Sequence, residues 1–275
     1  MSAIITKVLI GALATVGAVQ ALPNQQYVPS GFSTVVAASA TASATTPPAP
    51  VQTQDNTALF KDLFTAPTAI KRFQRLLTTA GEKLLSPEEL KKLIVFDFNG
   101  ATPAPGAKGG AAKAANIETF PILTDLGIST TMGFLDACGI NTPHIHPRAT
   151  EFLTVVEGQI DFGYILENGL VKAPNSAEVS GHLDKFQGTV FPMGSIHYQI
   201  NPDCKPATFV ATLNSEDPGT SQVAQNFFGL NANVVNATLG FPSSLAGKDI
   251  ASFRNTIPAN LAKDIENCLK KCPQQ

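Results

Sequence analysis

The sequence predicts an all-β core, folded as a sandwich or barrel, with flanking N- and C-terminal α-helices. Two observations predict the core. Apolar, β-branched runs such as residues 151–160 and 209–213 have the composition of buried strands. Glycine, proline and asparagine separate these runs at short intervals, as in sheets built from tight turns. Runs with helical periodicity on either side of the core predict the flanking helices.

The first 55 residues are expected to lie outside that fold. Residues 1–21 contain one lysine, then an apolar run, then small residues near Ala21, which is the pattern of a secretory signal peptide. The apolar run is too short and too rich in glycine to predict a membrane span. Residues 22–55 are rich in Ala, Ser, Thr and Pro with almost no charge, which predicts a disordered arm. We therefore expect a secreted, extracellular protein.

Helices are predicted between this arm and the core. Residues 59–80 carry helical periodicity, with Pro67 as a helix start. Ser86 has the position of an N-cap, since Pro87 follows it and Glu89 completes a capping box.

The remaining elements follow in chain order. Residues 94–98 predict a strand, and the Gly/Ala/Pro-rich residues 101–115 predict a loop. The β-core proper is predicted over 116–215. Residues 243–272 predict two or three helices, including one over 259–269.

Three of the four histidines fall in two short segments of the predicted core, residues 139–158 and 188–201, together with Glu151. His144 and His146 are two residues apart, so on a strand their side chains point to the same side. With Glu151 and His197 they form a candidate metal shell, because imidazoles with one carboxylate suit a mid-row divalent ion. The fourth histidine, His182, lies outside both segments and is expected in a surface loop.

These two segments resemble the two motifs of the cupins in their germin-like form. The first motif requires two histidines, a glutamate and a glycine at fixed spacing, and the second requires a proline, a glycine, a histidine and an asparagine. The matching residues are His144, His146, Glu151 and Gly158, then Pro192, Gly194, His197 and Asn201. The leading glycine of each motif is missing, since Cys138 and Phe186 occupy those positions.

Within the first motif, residues 143–151 are nearly identical to the plant germin sequence, and after the second motif residues 209–219 are similar to a germin segment. The secretory leader and the extra C-terminal helices make the chain most similar to fungal and slime-mould spherulin-type germins. The resemblance implies a jelly-roll β-barrel, with a germin-like cupin domain over 56–240 and a helical extension over 241–275. It also implies a homo-oligomer, because germins pack their C-terminal helices against neighbouring subunits.

The resemblance further implies manganese as the bound ion, with iron and zinc as the alternatives. A small anionic ligand such as oxalate or superoxide is then a candidate partner, because one carboxylate leaves positive charge on a divalent ion. Asn141 matches an active-site asparagine of the germins that oxidise oxalate, whereas Thr131 stands at the place of their second asparagine. Further candidates for the pocket wall, or for ordinary core packing, are Phe152, Phe162, Phe191, Met193 and Leu213.

The four cysteines permit two disulfides. In a jelly roll of this type, the strand with His144 lies antiparallel to the strand with His197. Antiparallel partners have residue numbers with a roughly constant sum, and this register brings Cys138 opposite Cys204. We therefore expect a Cys138–Cys204 disulfide, which leaves Cys268 and Cys272 as a second pair or as free thiols.

Composition narrows the functional class. The net charge is −2 and charged residues form 15% of the chain, with no basic patch, so nucleic-acid binding is not expected. The sequon at Asn236 is a candidate N-glycosylation site. Three functions stay open: a manganese oxidoreductase acting on superoxide or oxalate, a non-catalytic extracellular structural protein, and a small-ligand or sugar-binding module.

Overall fold

The computed structural model describes residues 56–240, 256–263, 268 and 270–272. The predicted signal peptide, residues 1–21, and the predicted arm, residues 22–55, lie outside the described residues. Within the described part of the chain, no helix is both long enough and apolar enough to cross a bilayer.

Three short helices and a small hairpin precede the barrel. They are α1 (Thr57–Thr65), α2 (Ala69–Leu77), β1 (Thr78–Thr79), β2 (Lys83–Leu84) and α3 (Pro87–Ile94). Thr68, directly after Pro67, is the N-cap of α2, and its side chain accepts a hydrogen bond from the backbone N–H of Lys71. The capping box of α3 is confirmed, because Ser86 and Glu89 satisfy each other's backbone N–H groups.

Two antiparallel sheets form the barrel. In spatial order, the first contains β3 (Gly110–Ala115), β4 (Ser129–Leu135), β11 (Ala207–Leu213), β6 (Glu151–Glu157) and β9 (Gly188–Phe191). The second contains β12 (Ser221–Gln222), β5 (Gly139–Ile145), β10 (Ile196–Ile200), β7 (Ile160–Ile165) and β8 (Val179–Leu183), with β13 (Ala262–Lys263) also paired to β5. A 3₁₀ turn lies at Pro121–Leu123. The predicted all-β cupin jelly roll with flanking helices is confirmed.

The inner faces of the two sheets form the core. Alternate residues of β11 are buried, as in a half-buried strand whose side chains point alternately inward and outward. Leu153 and Val155 of β6 lie in the same buried cluster as Phe209 of β11 and Ile160 of β7. This alternation matches the apolar runs from which the strands were predicted.

Two predictions for the segment before the barrel were wrong. Residues 95–98 form no strand, and the apolar character of this run reflects aromatic packing instead: the Phe96 ring contacts Phe98 and Phe120 at centroid distances of 4.8 and 5.4 Å. The predicted loop over 101–115 contains β3, whose small residues pair along β4. At Gly110 (φ +134°) a Cβ would lie 2.0 Å from the carbonyl oxygen of Phe134, so this position requires glycine.

The chain after the barrel is not purely helical. Two helices follow β12, α4 (Val223–Gly229) and α5 (Ala232–Thr238). The helix predicted over 259–269 is wrong where the structure describes it, because β13 pairs Ala262 with Ile140 and Lys263 with Gly139. The edge of β5 offers unpaired backbone groups there, and these outweigh local helix propensity. The other residues of the predicted extension lie mostly outside the described residues.

The predicted Cys138–Cys204 disulfide was also wrong. The structure joins Cys138 to Cys268 and Cys204 to Cys272. The β5–β10 register shifts between His197 and Gln199, and the Cys138 N–H donates to the carbonyl oxygen of Asp203, so Cys138 has no cysteine directly opposite. A slip of one residue turns a side chain to the other face of a sheet. Both bridges therefore tie the chain end to the barrel.

We predict that peptide mapping without reduction will recover Cys138–Cys268 and Cys204–Cys272 cross-links. Reduction should abolish both cross-links and lower thermal stability, because each bridge restricts a long loop in the unfolded chain. Recovery of a Cys138–Cys204 peptide from folded protein would contradict the structure.

The contact between Gly133 and the Phe209 ring gives a second prediction. A Cβ on Gly133 of β4 would lie 2.1 Å from the ring of Phe209, which is buried in the core. Gly133→Ala should therefore lower the free energy of unfolding by about 1–3 kcal/mol, the usual range for overpacking. Gly229→Ala is the matched control, since a Cβ there meets no atom within 4 Å. Equal denaturation midpoints for the two variants would contradict this packing.

Candidate metal centre

The metal-ligand candidates come from both sheets and meet inside the barrel. His144 lies on β5 and His146 directly follows that strand, so the two imidazoles share one side. His197 on β10 is the register partner of His144. Glu151 is the first residue of β6, in the opposite sheet. The structure thus brings together all four residues that the sequence predicted.

The four side chains are close enough to share one ion. Each offers a ligand atom, and these atoms all lie within 4.8 Å of one another. The Nε2 atom of His146 lies 2.9 Å from the Glu151 carboxylate, and the Nε2 atom of His197 lies 3.6 Å from it. His144, Glu151 and His197 are buried. Buried imidazoles that surround a buried carboxylate form a typical donor set for a divalent metal.

Backbone carbonyl groups fix the orientation of all three imidazoles. The Nδ1 atoms of His144, His146 and His197 lie 2.8, 2.6 and 3.0 Å from the carbonyl oxygens of Thr142, Gly219 and Ser195. A carbonyl oxygen only accepts hydrogen bonds, so each Nδ1 carries the proton and each Nε2 is left for the centre. Metal-binding histidines are commonly held in this way.

The Nε2 atom of His197 supports the metal assignment independently. It is buried and has no hydrogen-bond partner among the described residues. A buried polar atom without a partner destabilises the fold, so such atoms are rare in native proteins. A metal ion bonded to this nitrogen would satisfy it, and the donor set therefore fits the ion.

Burial and mutual contact set the protonation states of the site. Burial, together with the nearby His197, lowers the pKa of His144 to about 3. Burial alone would raise the pKa of Glu151, but the hydrogen bond with His146 and the nearby His197 lower it to about 2. Burial also opposes protonation of His146, yet its hydrogen bond to Glu151 raises its pKa. Without metal, a proton on His146 therefore pairs with the Glu151 carboxylate, and a bound cation would replace it.

Of the five candidates for the pocket wall or for core packing, one lines the cavity, namely Leu213. Phe191 belongs to the core cluster, where its ring stacks on the His197 ring at 4.4 Å between centroids. Phe162 packs against the core cluster instead. The prediction was wrong for Phe152 and Met193, because neither residue lines the cavity and they are 55% and 60% exposed.

A cavity of about 230 Å³ opens beside the metal ligands. Asn141 and Thr131, both singled out from the sequence, lie in its wall. Several other wall residues were not predicted from the sequence, namely Thr220, Gln222, Asn260 and Leu261. All four come after Asn201, the last residue of the second motif, so the motif spacing carries no signal for them.

Two further polar residues lie away from the centre. Arg148 donates to the backbone carbonyl and the carboxylate of Asp217, and its side chain is largely exposed. His182 is exposed as predicted, but it lies on strand β8 rather than in a loop, and it contacts Asp161. Neither residue belongs to the metal shell.

Similar sequences identify the family of this chain. The Cupin family profile matches residues 98–247. Spherulin-1B of Physarum polycephalum is 37% identical over 216 residues, which cover 75% of this chain and 83% of the relative. Germin-like protein subfamily 2 member 3 of Arabidopsis thaliana is 32% identical over 158 residues, 58% of this chain and 69% of that protein.

The chain belongs to the germin-like cupins. A solved structure of a single-residue mutant of the Bacillus subtilis oxalate decarboxylase has a TM-score of 0.50 and 17% sequence identity. It covers 66% of this cupin and 47% of that chain, and the likeness concerns the fold alone. The matches to Spherulin-1B and to the Arabidopsis germin-like protein confirm the predicted resemblance to spherulins and germins.

We predict that Glu151→Ala or His146→Ala will abolish stoichiometric metal binding. The metal-dependent rise in melting temperature should vanish with it, because a ligand at 100 times its dissociation constant stabilises the fold by about 2.7 kcal/mol. His182→Ala is the control, since it removes the one histidine outside the centre. Full metal occupancy in both site variants, measured by elemental analysis, would refute the assignment.

Proposed function

We propose that this germin-like cupin is a secreted manganese protein that binds and turns over a small anion, either superoxide or a small carboxylate such as oxalate. The observation that carries the proposal is the arrangement of three imidazole Nε2 atoms and one buried carboxylate beside a cavity. Four protein ligands leave two positions of a six-coordinate ion for water or substrate.

Charge favours an anionic ligand. A divalent ion with one carboxylate and three neutral imidazoles keeps one positive charge. Among the described residues that line the cavity, the ligand Glu151 is the only carboxylate, and no lysine or arginine is present. An incoming anion would therefore meet the charge of the ion and the hydrogen-bonding groups of the wall. At about 230 Å³ the cavity suits a molecule of a few heavy atoms.

The wall residues have separate roles in this proposal. The amide of Asn141 and the hydroxyl of Thr131 would hydrogen-bond the oxygen atoms of the anion and orient it. The apolar wall residues Phe209, Ala211 and Leu213 would limit the amount of water in the cavity. Bound manganese would supply an open coordination position and a redox-active centre. The backbone carbonyl groups would keep the imidazoles in one tautomer throughout.

A second candidate is a non-catalytic extracellular protein in which the metal stabilises the fold. Both ends of the Asn141 amide already contact protein groups, because its nitrogen donates to Gln199 and its oxygen accepts from Asn260. The hydroxyl of Thr131 is shorter than the asparagine amide found at that place in oxalate-oxidising germins. In this alternative, the hydrogen bonds of Asn141 hold the barrel wall together, and no substrate needs to bind.

Secretion belongs to the proposal as well. Two disulfides that fix the chain end favour an oxidising compartment, in agreement with the predicted signal peptide. Homo-oligomer formation is proposed from the resemblance to germins alone. A glycan at Asn236 is less favoured than the sequence suggested, because this residue is half-buried on α5 and its side-chain oxygen is buried.

The deciding experiment is elemental analysis of protein from its secreting host, followed by superoxide and oxalate assays on the same sample. We expect about one manganese per chain and turnover of one of the two substrates. Glu151→Gln, which keeps the shape but removes the charge, should lose both metal and turnover. Manganese at full occupancy without turnover would overturn the enzymatic proposal and favour the structural alternative.

A further inference from the structure

Three side-chain amides form a hydrogen-bonded row at the metal cavity. The Nδ2 atom of Asn260 donates to Oδ1 of Asn141 at 2.8 Å, and the Nδ2 atom of Asn141 donates to Oε1 of Gln199 at 2.7 Å. Asn260 and Asn141 both line the cavity, and Gln199 is fully buried on β10, two residues after the metal-ligand candidate His197. The row thus connects the chain end to the centre of the barrel.

A backbone group fixes the direction of the whole row. The N–H of Thr142 donates to Oδ1 of Asn260 at 2.9 Å, and the Thr142 hydroxyl contacts the same oxygen at 3.0 Å. A backbone N–H only donates, so the oxygen of Asn260 must face Thr142 and its nitrogen must face Asn141. Asn141 must then offer its oxygen to Asn260 and its nitrogen to Gln199. One unambiguous donor therefore orients three amides in series.

Toward its Gln199 end, the row contains two amide donors that lack an acceptor among the described residues. The amide nitrogen of Asn141 has two hydrogens, and within the described part of the chain it makes one hydrogen bond, to Gln199. The Nε2 atom of Gln199 is buried and has no partner among the described residues. Buried donors without partners are rare, and they are satisfied when an acceptor such as a carboxylate oxygen or a water molecule binds. The row thus favours an acceptor in or next to the cavity.

We propose that Asn260 is a positioning residue that makes Asn141 present an N–H, rather than its oxygen, to a small oxyanion or carboxylate bound at the metal. This inference rests on the proposed function. If Asn260 were absent, the Asn141 amide could rotate by half a turn, and its oxygen would then repel an anionic ligand. The specificity for an anion would therefore depend on a residue far outside both metal-binding motifs.

The chain around Asn260 is held firmly enough for this role. The carbonyl oxygen of Leu261 accepts hydrogen bonds from the backbone N–H groups of Lys108 and Gly109. The next two residues form β13 along the edge of β5, and the Nε2 atom of Gln225 donates to the carbonyl oxygen of Pro258. Both disulfides tie the following residues to the barrel. The position of Asn260 is therefore set from both sides.

The first test compares Asn260→Ala, Asn141→Ala and the double variant as manganese-loaded proteins, with oxalate as the probe. We expect Asn260→Ala to weaken oxalate binding about tenfold, equivalent to about 1.4 kcal/mol, with manganese content unchanged. If Asn260 acts through Asn141, the double variant should bind no more weakly than Asn141→Ala alone. Additive losses, or unchanged oxalate affinity in Asn260→Ala, would overturn the proposal.

The second test reads the amide row directly and needs neither metal nor anion. In metal-free protein, the side-chain amide NMR signals of Asn141 and Gln199 should shift in Asn260→Ala. Asn260→Asp still accepts from Thr142 but cannot donate, so it should fold and reverse the row. Asn233→Asp, an exposed change of the same charge on α5, is the control and should leave both signals unchanged.

The two tests separate the possible failures. If the wild-type protein binds manganese but no oxalate, the anionic ligand of the proposed function is wrong, and the NMR result still decides the role of Asn260. Unchanged Asn141 and Gln199 signals in both Asn260 variants would overturn the role of Asn260 whatever the oxalate result.

Discussion

The antiparallel pairing of β5 with β10 is the interaction on which the site depends. This ladder places His144 opposite His197 and Asn141 opposite Gln199, with a register shift between the two pairs, so one strand pairing positions both the candidate metal ligands and the amide row. A slip of one residue would turn each of these side chains to the other face of the sheet. On its other edge, β5 pairs with β12 and β13, which bring Gln222 and the chain end to the same cavity.

Burial of ionisable groups is the second constraint, and it connects metal binding to stability. Three imidazoles and a carboxylate lie in the barrel interior, where unpaired charge is strongly disfavoured. Without metal, protonated His146 pairs with the ionised Glu151 carboxylate, but the Nε2 atom of His197 has no hydrogen-bond partner among the described residues. A divalent ion bound there would satisfy all four groups at once. Metal binding would then be coupled to folding.

The candidate metal shell was found from the sequence because its residues lie in two short motifs. His144 and His146 are two residues apart at the end of β5, so strand alternation alone places them on one side. Glu151 begins β6 in the opposite sheet and His197 lies on β10, so their inclusion rested on the spacing of the motifs and not on strand alternation. The capping box at Ser86 was predictable for the same reason, since all of its contacts lie within four residues.

The remaining features depend on contacts between distant parts of the chain. Asn260 reaches the cavity only because β13 pairs with β5, and the local sequence there favours a helix. The disulfide prediction failed because it assumed a regular β5–β10 ladder, whereas the register shifts between the His144–His197 pair and the end of the ladder near Cys138. The two cysteines near the chain end are the actual disulfide partners of Cys138 and Cys204. β3 was missed because its Gly/Ala composition reflects close packing on β4 and not strand propensity. Each error follows from tertiary pairing that outweighs a local preference.

The most direct test of the central claim is anomalous diffraction from crystals of the manganese-loaded protein, recorded on both sides of the manganese absorption edge. The account predicts one strong peak inside the barrel, within bonding distance of the Nε2 atoms of His144, His146 and His197 and of the Glu151 carboxylate. A manganese peak elsewhere, with these four side chains still in the metal-free arrangement, would contradict it.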